Sequence, residues 1–340
     1  MPILSRITGA VTRRLSDLRD PRLVAGAFRN AHGPERVTLS DDQAGLVVLV
    51  RDAAWFLPAF LSHHLALGVA HVVVVDNGST DATVRIAAAH DGVTVLSNPV
   101  PAKRHEVRLR AMAAARVYRG GWTMFADADE MAEVQGGLTP LLAYANAQGF
   151  TAVVGQMLDL CAPGDQRAMA GMDYAAAIAA CDSYTLEGLT RHPYHDTEGI
   201  GFHWFLKDNL CLDPGVRLLS GGLRRVVFGE NPFLSKHTLV RNLPGVQTMT
   251  HPHCASGVSV ADVTLCLRHY KLAGDWRARD RASVAAATWD HAEDARRMLA
   301  AGAEAFSLSP PALRRWQGTG ALLDEGFLYA SDRARAVLGV

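Results

Sequence analysis

Four short and almost wholly apolar runs punctuate the first half of the chain: GLVVLV at 45–50, HVVVVD at 71–76, VTVLS at 93–97 and WTMFAD at 122–127. Runs of this length without polar alternation mark strands buried on both faces. The segments between them carry helical spacing instead. Trp55, Phe56, Phe60, Leu61, His64, Leu65 and Leu67 gather on one side of a helix predicted over 53–68, which Gly68 ends. Asn77-Gly78-Ser79-Thr80-Asp81 forms a turn in which Ser79 or Thr80 can cap a helix over 81–90, and a basic helix follows over 103–119. Residues 45–127 therefore read β-α-β-α-β-α-β. That alternation belongs to a parallel sheet covered by helices, whose ligands bind beyond the carboxyl ends of the strands.

The second half is less regular. TAVVGQMLDL (151–160) reads as a strand, and 161–215 is rich in loop signals. Short strand-like runs follow near 224–228, 236–241, 246–250 and 263–270, and 274–305 and 310–338 read as mostly helical. The division this suggests is an N-terminal helix and linker (1–43), a first half (44–150), a second half (151–275) and a helical C-terminal extension (276–340). Within 1–30, Ile3, Leu4, Ile7, Val11, Leu15 and Leu18 recur at helical spacing among six arginines. Such a helix either packs on the protein body with solvated arginines or lies on an anionic membrane surface. Residues 30–43 are polar and turn-rich, the mark of a linker.

Composition narrows the classes. Hydrophobic residues make up 49% and charged residues 20%, enough to bury a sizeable core. Lysine plus arginine balances aspartate plus glutamate at 34 each, so there is no electrostatic footprint for nucleic acid. The five cysteines (Cys161, Cys181, Cys211, Cys254, Cys266) show no metal-like spacing and read as free, buried thiols. With no apolar run near ~20 residues and no leader-like start, the expectation is a cytoplasmic protein, peripheral at the inner membrane face if residues 1–30 bind it.

The strongest chemical signal is Asp127-Ala128-Asp129-Glu130, directly after the fourth strand. Two carboxylates one residue apart can share a hard cation such as Mg²⁺ or Mn²⁺, which keeps positions open for phosphate oxygens. A solvated acidic turn is the plainer explanation of the same residues. Asp76, ending the second strand, can take a hydrogen bond from a base or ribose, or can simply serve the turn that follows it. On the basic helix, Arg104 and Arg108 share a face; one of them can clamp a diphosphate, or both can be solvated.

RDAAWFLPAFLSHHLALGVAHVVVVDNGSTD followed by WTMFADADE resembles the family 2 glycosyltransferases of the GT-A fold. MLDL (157–160), SGGLRRVVFG (220–229), SKHTLVR (235–241) and LRHYK (267–271) fall in the order found in the bacterial branch related to family 92. The resemblance covers roughly 45–275 and implies an α/β fold with a mixed central sheet. It further implies a metal-dependent enzyme that moves a sugar from a nucleotide-sugar donor, UDP-linked as first choice, to a saccharide or glycolipid acceptor. Asp76 would contact the base, Asp127 the ribose and metal, and Asp129 the metal (Mn²⁺ or Mg²⁺). One of His251, His253 and His269 would complete the metal site. Arg224 and Lys236 would be substrate contacts. Many relatives carry Asn-Glu where this chain has Arg51-Asp52, so a donor contact from Asp52 departs from the pattern. Asp159 is the first choice for the base of an inverting reaction, with Glu198 and Glu230 as alternatives.

Two other enzyme classes fit less well. A haloacid-dehalogenase-type phosphohydrolase needs a second Asp two residues after its nucleophile, and position 78 is Gly. A dinucleotide-binding dehydrogenase needs G-x-G-x-x-G after the first strand, which is missing. A non-catalytic glycosyltransferase-like scaffold is the remaining alternative.

Overall fold

The computed structural model describes residues 21–196, 199, 201–286, 296, 298–300 and 307–340. All four apolar runs are strands of one nine-stranded sheet. In chain order its strands are β1 Arg29–His32, β2 Ala44–Val50, β3 His71–Asp76, β4 Val93–Ser97, β5 Trp122–Phe125, β6 Glu130–Glu133, β7 Ala152–Asp159, β8 Ser235–Arg241 and β9 Val260–His269. Across the sheet the order is β1-β4-β3-β2-β5-β8-β7-β9-β6. The strands β4, β3, β2 and β5 are parallel. β8 opposes both β5 and β7, β9 is parallel to β7, and the edge strands β1 and β6 are antiparallel to their neighbours. This is the mixed sheet flanked by helices expected of a GT-A-like fold, and it runs through both halves of the chain.

Every residue of β2 and β3 is buried, and the period of two divides them between two cores. Leu46, Val48, Val50, Val72 and Val74 face one core with Leu57, Phe60 and Leu61 of α1 (Leu57–Ala66) and Ala87 of α2 (Thr83–Ala88). Val47, Leu49, Val73 and Val75 face the other, with Leu109, Ala113 and Val117 of α3 (Ala102–Val117). Gly45 permits the closest approach: a Cβ there would lie 2.2 Å from the Tyr118 ring. The Tyr118 hydroxyl donates to the carbonyls of Leu46 and His71, 2.8 and 2.9 Å away.

Several elements differ from expectation, each for a local reason. The helix predicted at 53–68 begins only at Leu57; before it, Asp52 takes a positive φ of 52° and the N–H groups of Ala53 and Ala54 are held by Thr83 Oγ1 and Asp81 Oδ2. Neither Ser79 nor Thr80 caps α2: Ser79 Oγ accepts the Asp52 N–H, and Asp81 takes the Thr83 N–H. Residues 30–43 are no free linker, since β1 joins the sheet and Val37–Thr38 pairs with Tyr118–Arg119. The strand-like run at 224–228 is a helix, Leu223–Phe228, bounded by Gly222 and Gly229 at φ 68° and 70°. Such positive φ values suit glycine and break a strand.

Past β6, the helix α4 (Leu138–Ala147) leads to β7. Near the C-terminus the expected helical extension is partly strand, Arg314–Arg315 pairing with Ser183–Tyr184. Its described helical part includes α5 (Trp276–Ala286), Thr319–Asp324 and Asp332–Leu338. Leu322, Leu323, Phe327, Leu328 and Leu338 are buried in the main core, so this segment completes the fold. At the other end residues 21–27 are helical, and Val24 and Phe28 pack beside α3. Most of the predicted amphipathic helix, residues 1–20, lies outside the described residues, as does Glu198. No helix among the described residues is long and apolar enough to cross a membrane. All five cysteines are free thiols.

Candidate active site

The chain leaves the sheet at the end of β5 and re-enters it as β6, beyond β8, β7 and β9. Residues 126–129, which include Asp127 and Asp129, therefore cross the ends of three strands. Each of those strands contributes one charged side chain to the crossing: Lys236 from β8, Asp159 from β7 and His269 from β9. The loop is fixed from within by Glu130, which accepts the Asp127 N–H at 2.8 Å, and from β9 by the Tyr270 N–H on the Asp129 carbonyl at 2.8 Å.

Asp127 lies between two cations. Its Oδ1 accepts from Arg110 of α3, and its Oδ2 accepts from Lys236 Nζ at 3.1 Å. Lys236 also donates to both Glu130 oxygens, at 2.7 and 2.9 Å, and Arg110 pairs with Glu106 at 3.0 Å. Burial works to raise the Asp127 carboxyl, but Arg110 and Lys236 prevail and hold it well below the ordinary carboxylate range. Burial likewise works to lower Arg110 and Lys236, and the surrounding carboxylates raise both. All three groups are charged at neutral pH.

Asp129 belongs to a second chain of charges. His269 Nε2 stands 3.5 Å from Asp129 Oδ2, and its Nδ1 is 2.5 Å from Asp159 Oδ1. Arg224 Nε donates to the other Asp159 oxygen at 3.0 Å. Burial pushes against charge on both carboxylates, but His269 brings Asp129 down to about 2, and Arg224 with His269 brings Asp159 down to about 2. Burial opposes charge on His269 as well, yet the two carboxylates raise it to about 9. Asp159 is only 4% exposed, with a cation on each oxygen. That placement orients His269, and a buried carboxyl held down to about 2 by two cations is a weak base, ill-suited to the general-base role expected of it.

The remaining expected residues fall elsewhere. His251 and His253 pack among Phe202, Phe205 and Phe233. Burial, reinforced by Lys236, lowers His251 to about 4 and His253 well below its ordinary value, so both are neutral. Asp76 accepts from its own turn, Gly78 N–H at 3.3 Å and Ser79 N–H at 3.1 Å. Asp52, at φ 52°, accepts from Thr80 and Asp81 and so ties the two loops at the carboxyl edge together. Arg104 is exposed and Arg108 half-buried; the arginine of that helix that meets Asp127 is Arg110. Glu230 is buried beside Arg224, whose carbonyl accepts its N–H.

Arg110 and Glu130 were not singled out from sequence. A signal for Arg110 exists: it sits beside Leu109 and Ala113, on the face that α3 buries. A buried arginine there needs a carboxylate. Glu130 follows an acidic pair directly and passes for one more acidic turn residue.

The donor set limits what a cation can use. Among the described residues no group of three or more His, Cys, Asp or Glu side chains is arranged to hold a metal ion. Asp127 has both oxygens engaged. Asp129 and His269 form a two-donor set, with His269 held through its other nitrogen by Asp159, an arrangement typical of histidine ligands. Two protein donors suit an ion that takes its remaining ligands from phosphates and water. The cation would have to displace the His269 proton.

Residues 56–199 match the family model described as Glycosyl transferase family 2. That stretch holds β3, β4, β5, the Asp127–Asp129 crossing and β7, and it points to a glycosyl-transfer role. No curated protein matches the chain. Among solved structures, one titled "Crystal Structure of a Mycobacterial Protein" is 18% identical over 34% of this chain and 41% of its own, with a TM-score of 0.23. The alignment thus takes in about two fifths of that protein's length.

Proposed function

We propose that this protein is a metal-dependent glycosyltransferase that moves a sugar from a nucleoside-diphosphate donor to a hydroxyl of a saccharide or glycolipid acceptor. The observation that carries the reading is the single crossing loop that brings Asp127 and Asp129 to Lys236, Arg110 and His269 at the ligand edge of the sheet. The family 2 match supports the reaction class. The motifs shared with the branch related to family 92 support a place near that branch.

Asp129 and His269 would hold Mn²⁺ or Mg²⁺, which when bound neutralises charge on the departing diphosphate. The protein's own residues do the rest. Asp159 fixes the His269 ring, and Arg224 fixes Asp159. Lys236 and Arg110 keep Asp127 anionic and rigid, ready to accept a ribose hydroxyl. Asp52 and Asp76 shape the loop beside the base-binding edge.

Calorimetric titration with UDP and GDP, in Mn²⁺ and then in EDTA, tests the reading. Binding of one nucleotide that needs the metal and is lost in Asp129→Asn and His269→Ala is expected. Equal affinity with and without metal would remove the metal from the scheme. No binding of either nucleotide to folded protein would leave the scaffold alternative.

A further inference from the structure

Helix α5 follows the crossing at once, because β9 ends at His269 and α5 begins at Trp276. Its Arg279 lies over the Trp55 ring, 4.7 Å from the ring centre, and 5.3 Å from that of Phe56. Two backbone carbonyls fix the guanidinium further, Ala273 at 2.7 Å from Nη1 and Lys271 at 3.3 Å from Nη2. The approach depends on Gly274, at φ 60°, where a Cβ would lie 2.6 Å from the Trp55 ring. Trp55 is itself fixed, by its indole N–H on the Met172 carbonyl at 2.9 Å and by the Tyr174 ring at 4.6 Å.

Among the described residues no carboxylate lies within ion-pair distance of Arg279. Burial draws the guanidinium below the ordinary arginine value, and the charge that counters burial most strongly is that of Asp129. Lys271 also acts on Asp129 while pairing with Asp280 at 3.3 Å. Arg279 is thus half-buried and held rigid on an aromatic face, and that face reaches the crossing: Tyr174, whose ring packs on Trp55, donates its hydroxyl to the Ala128 carbonyl, between Asp127 and Asp129, at 3.4 Å. Every other arginine or lysine at the crossing is consumed by a carboxylate. A preorganised planar fork of this kind is suited to phosphate oxygens.

We propose that Arg279 binds the terminal phosphate of the nucleoside diphosphate, so that α5 belongs to the donor site rather than to a separate extension. The proposal rests on the glycosyltransferase reading. It names a residue outside the region matched by the family model.

The test compares UDP with UMP, and GDP with GMP, by calorimetry in Mn²⁺ on wild type, Arg279→Met and Arg279→Lys. A charge-assisted phosphate contact predicts that the Met variant loses roughly tenfold to a hundredfold in affinity for the diphosphate that binds, with less than about a twofold change for its monophosphate. The Lys variant keeps the charge without the fork and should fall between. A merely structural role for Arg279 would weaken both nucleotides alike, and that result overturns the proposal. So does unchanged diphosphate affinity in the Met variant, which leaves the glycosyltransferase reading standing. Should the Met variant not fold, the Lys variant decides by the same diphosphate-to-monophosphate ratio. Failure of wild type to bind either diphosphate overturns both readings together.

Discussion

His64 gives the sharpest quantitative expectation. It lies on α1, fully buried, with Nδ1 donating to the Phe60 carbonyl at 2.9 Å and Nε2 accepting the Ala132 N–H at 3.3 Å. Ala132 is in the edge strand β6, and its carbonyl accepts from His63 Nε2 at 2.8 Å. The two histidines therefore cap the open side of the strand that follows Asp129. Because Nε2 must accept, protonation breaks the contact, and burial together with the neighbouring His63 pushes His64 down to about 3. An unfolded histidine titrates near ~6.5. Below that value the unfolded chain binds a proton that the folded chain refuses. Stability then falls by about 1.4 kcal/mol per pH unit between about 6.5 and 3. His64→Leu removes this dependence but leaves the buried Ala132 N–H without its acceptor, which costs about 1–3 kcal/mol. Taking about 2 kcal/mol, and a loss in wild type of about 2 kcal/mol between pH 6.5 and 5, the two stability curves should cross near pH ~5. Urea unfolding of both proteins at half-unit steps from pH 7.5 to 4.5 measures it. The other buried histidines contribute equally to both and cancel in the difference. Parallel curves would falsify the argument, since they would mean that His64 is protonated in the folded state or that water reaches it.

Three further outcomes follow from the geometry. Lys236→Met leaves the Glu130 side chain, 1% exposed, without its cation, and should cost about 3–5 kcal/mol at pH 7; adding Glu130→Gln should return part of that, and strictly additive single effects in the double-mutant cycle would show the pair is not coupled. Asp262, 3% exposed, accepts from Tyr144, Ser331 and Arg333 at 2.6–3.0 Å, so Asp262→Ala should cost about 2–4 kcal/mol and speed hydrogen exchange in Asp332–Leu338. Burial works to raise the Asp262 carboxyl, but those donors lower it, so its stabilisation is present above pH ~4 and fades as pH falls below that; an Asp262→Ala deficit that did not shrink in acid would contradict this. Gly45→Ala drives a methyl group into the Tyr118 ring and should cost about 1–3 kcal/mol in thermal unfolding, whereas an unchanged midpoint would mean the ring yields freely.

The parallel part of the sheet was legible because its strands are buried on both faces: from Ala44 to Val50 and from Val72 to Val75 there is no polar side chain, and an apolar run that short between turn signals reads as a buried strand. What was hidden is whatever depends on contacts between distant segments. The Leu223–Phe228 run has strand-like composition, and only the flanking glycines at positive φ turn it into a helix. β1 reads as polar linker because it is an edge strand with one apolar neighbour, and edges carry little hydrophobic signal. In the site the acidic pair and the late histidine were visible as residue types. Their pairing was not: Lys236, Arg224 and Asp159 also stood out as residue types, but that His269 and not His251 or His253 stands beside Asp129 follows only from where β9 ends.

That choice follows from topology more than from the motif. A D-x-D pair at the end of a strand is ordinarily open to solvent, and its two carboxylates repel each other. Here β5 and β6 are separated by three strands, so the pair is carried across their ends and each carboxylate meets its own cations: Arg110 and Lys236 for Asp127, His269 for Asp129. The two acids are thereby made inequivalent. Asp127 is locked, with both oxygens engaged and a side chain still 38% exposed. Asp129 has one weak contact at 3.5 Å, to a histidine that Asp159 and Arg224 hold in place. A group poised in this way can exchange a proton-bearing partner for a cation with little rearrangement, while Asp127 cannot without breaking two ion pairs. The inequivalence of the two aspartates is therefore set by which strands the loop passes over, and a change that shifted the crossing by one strand would abolish it while leaving the motif intact.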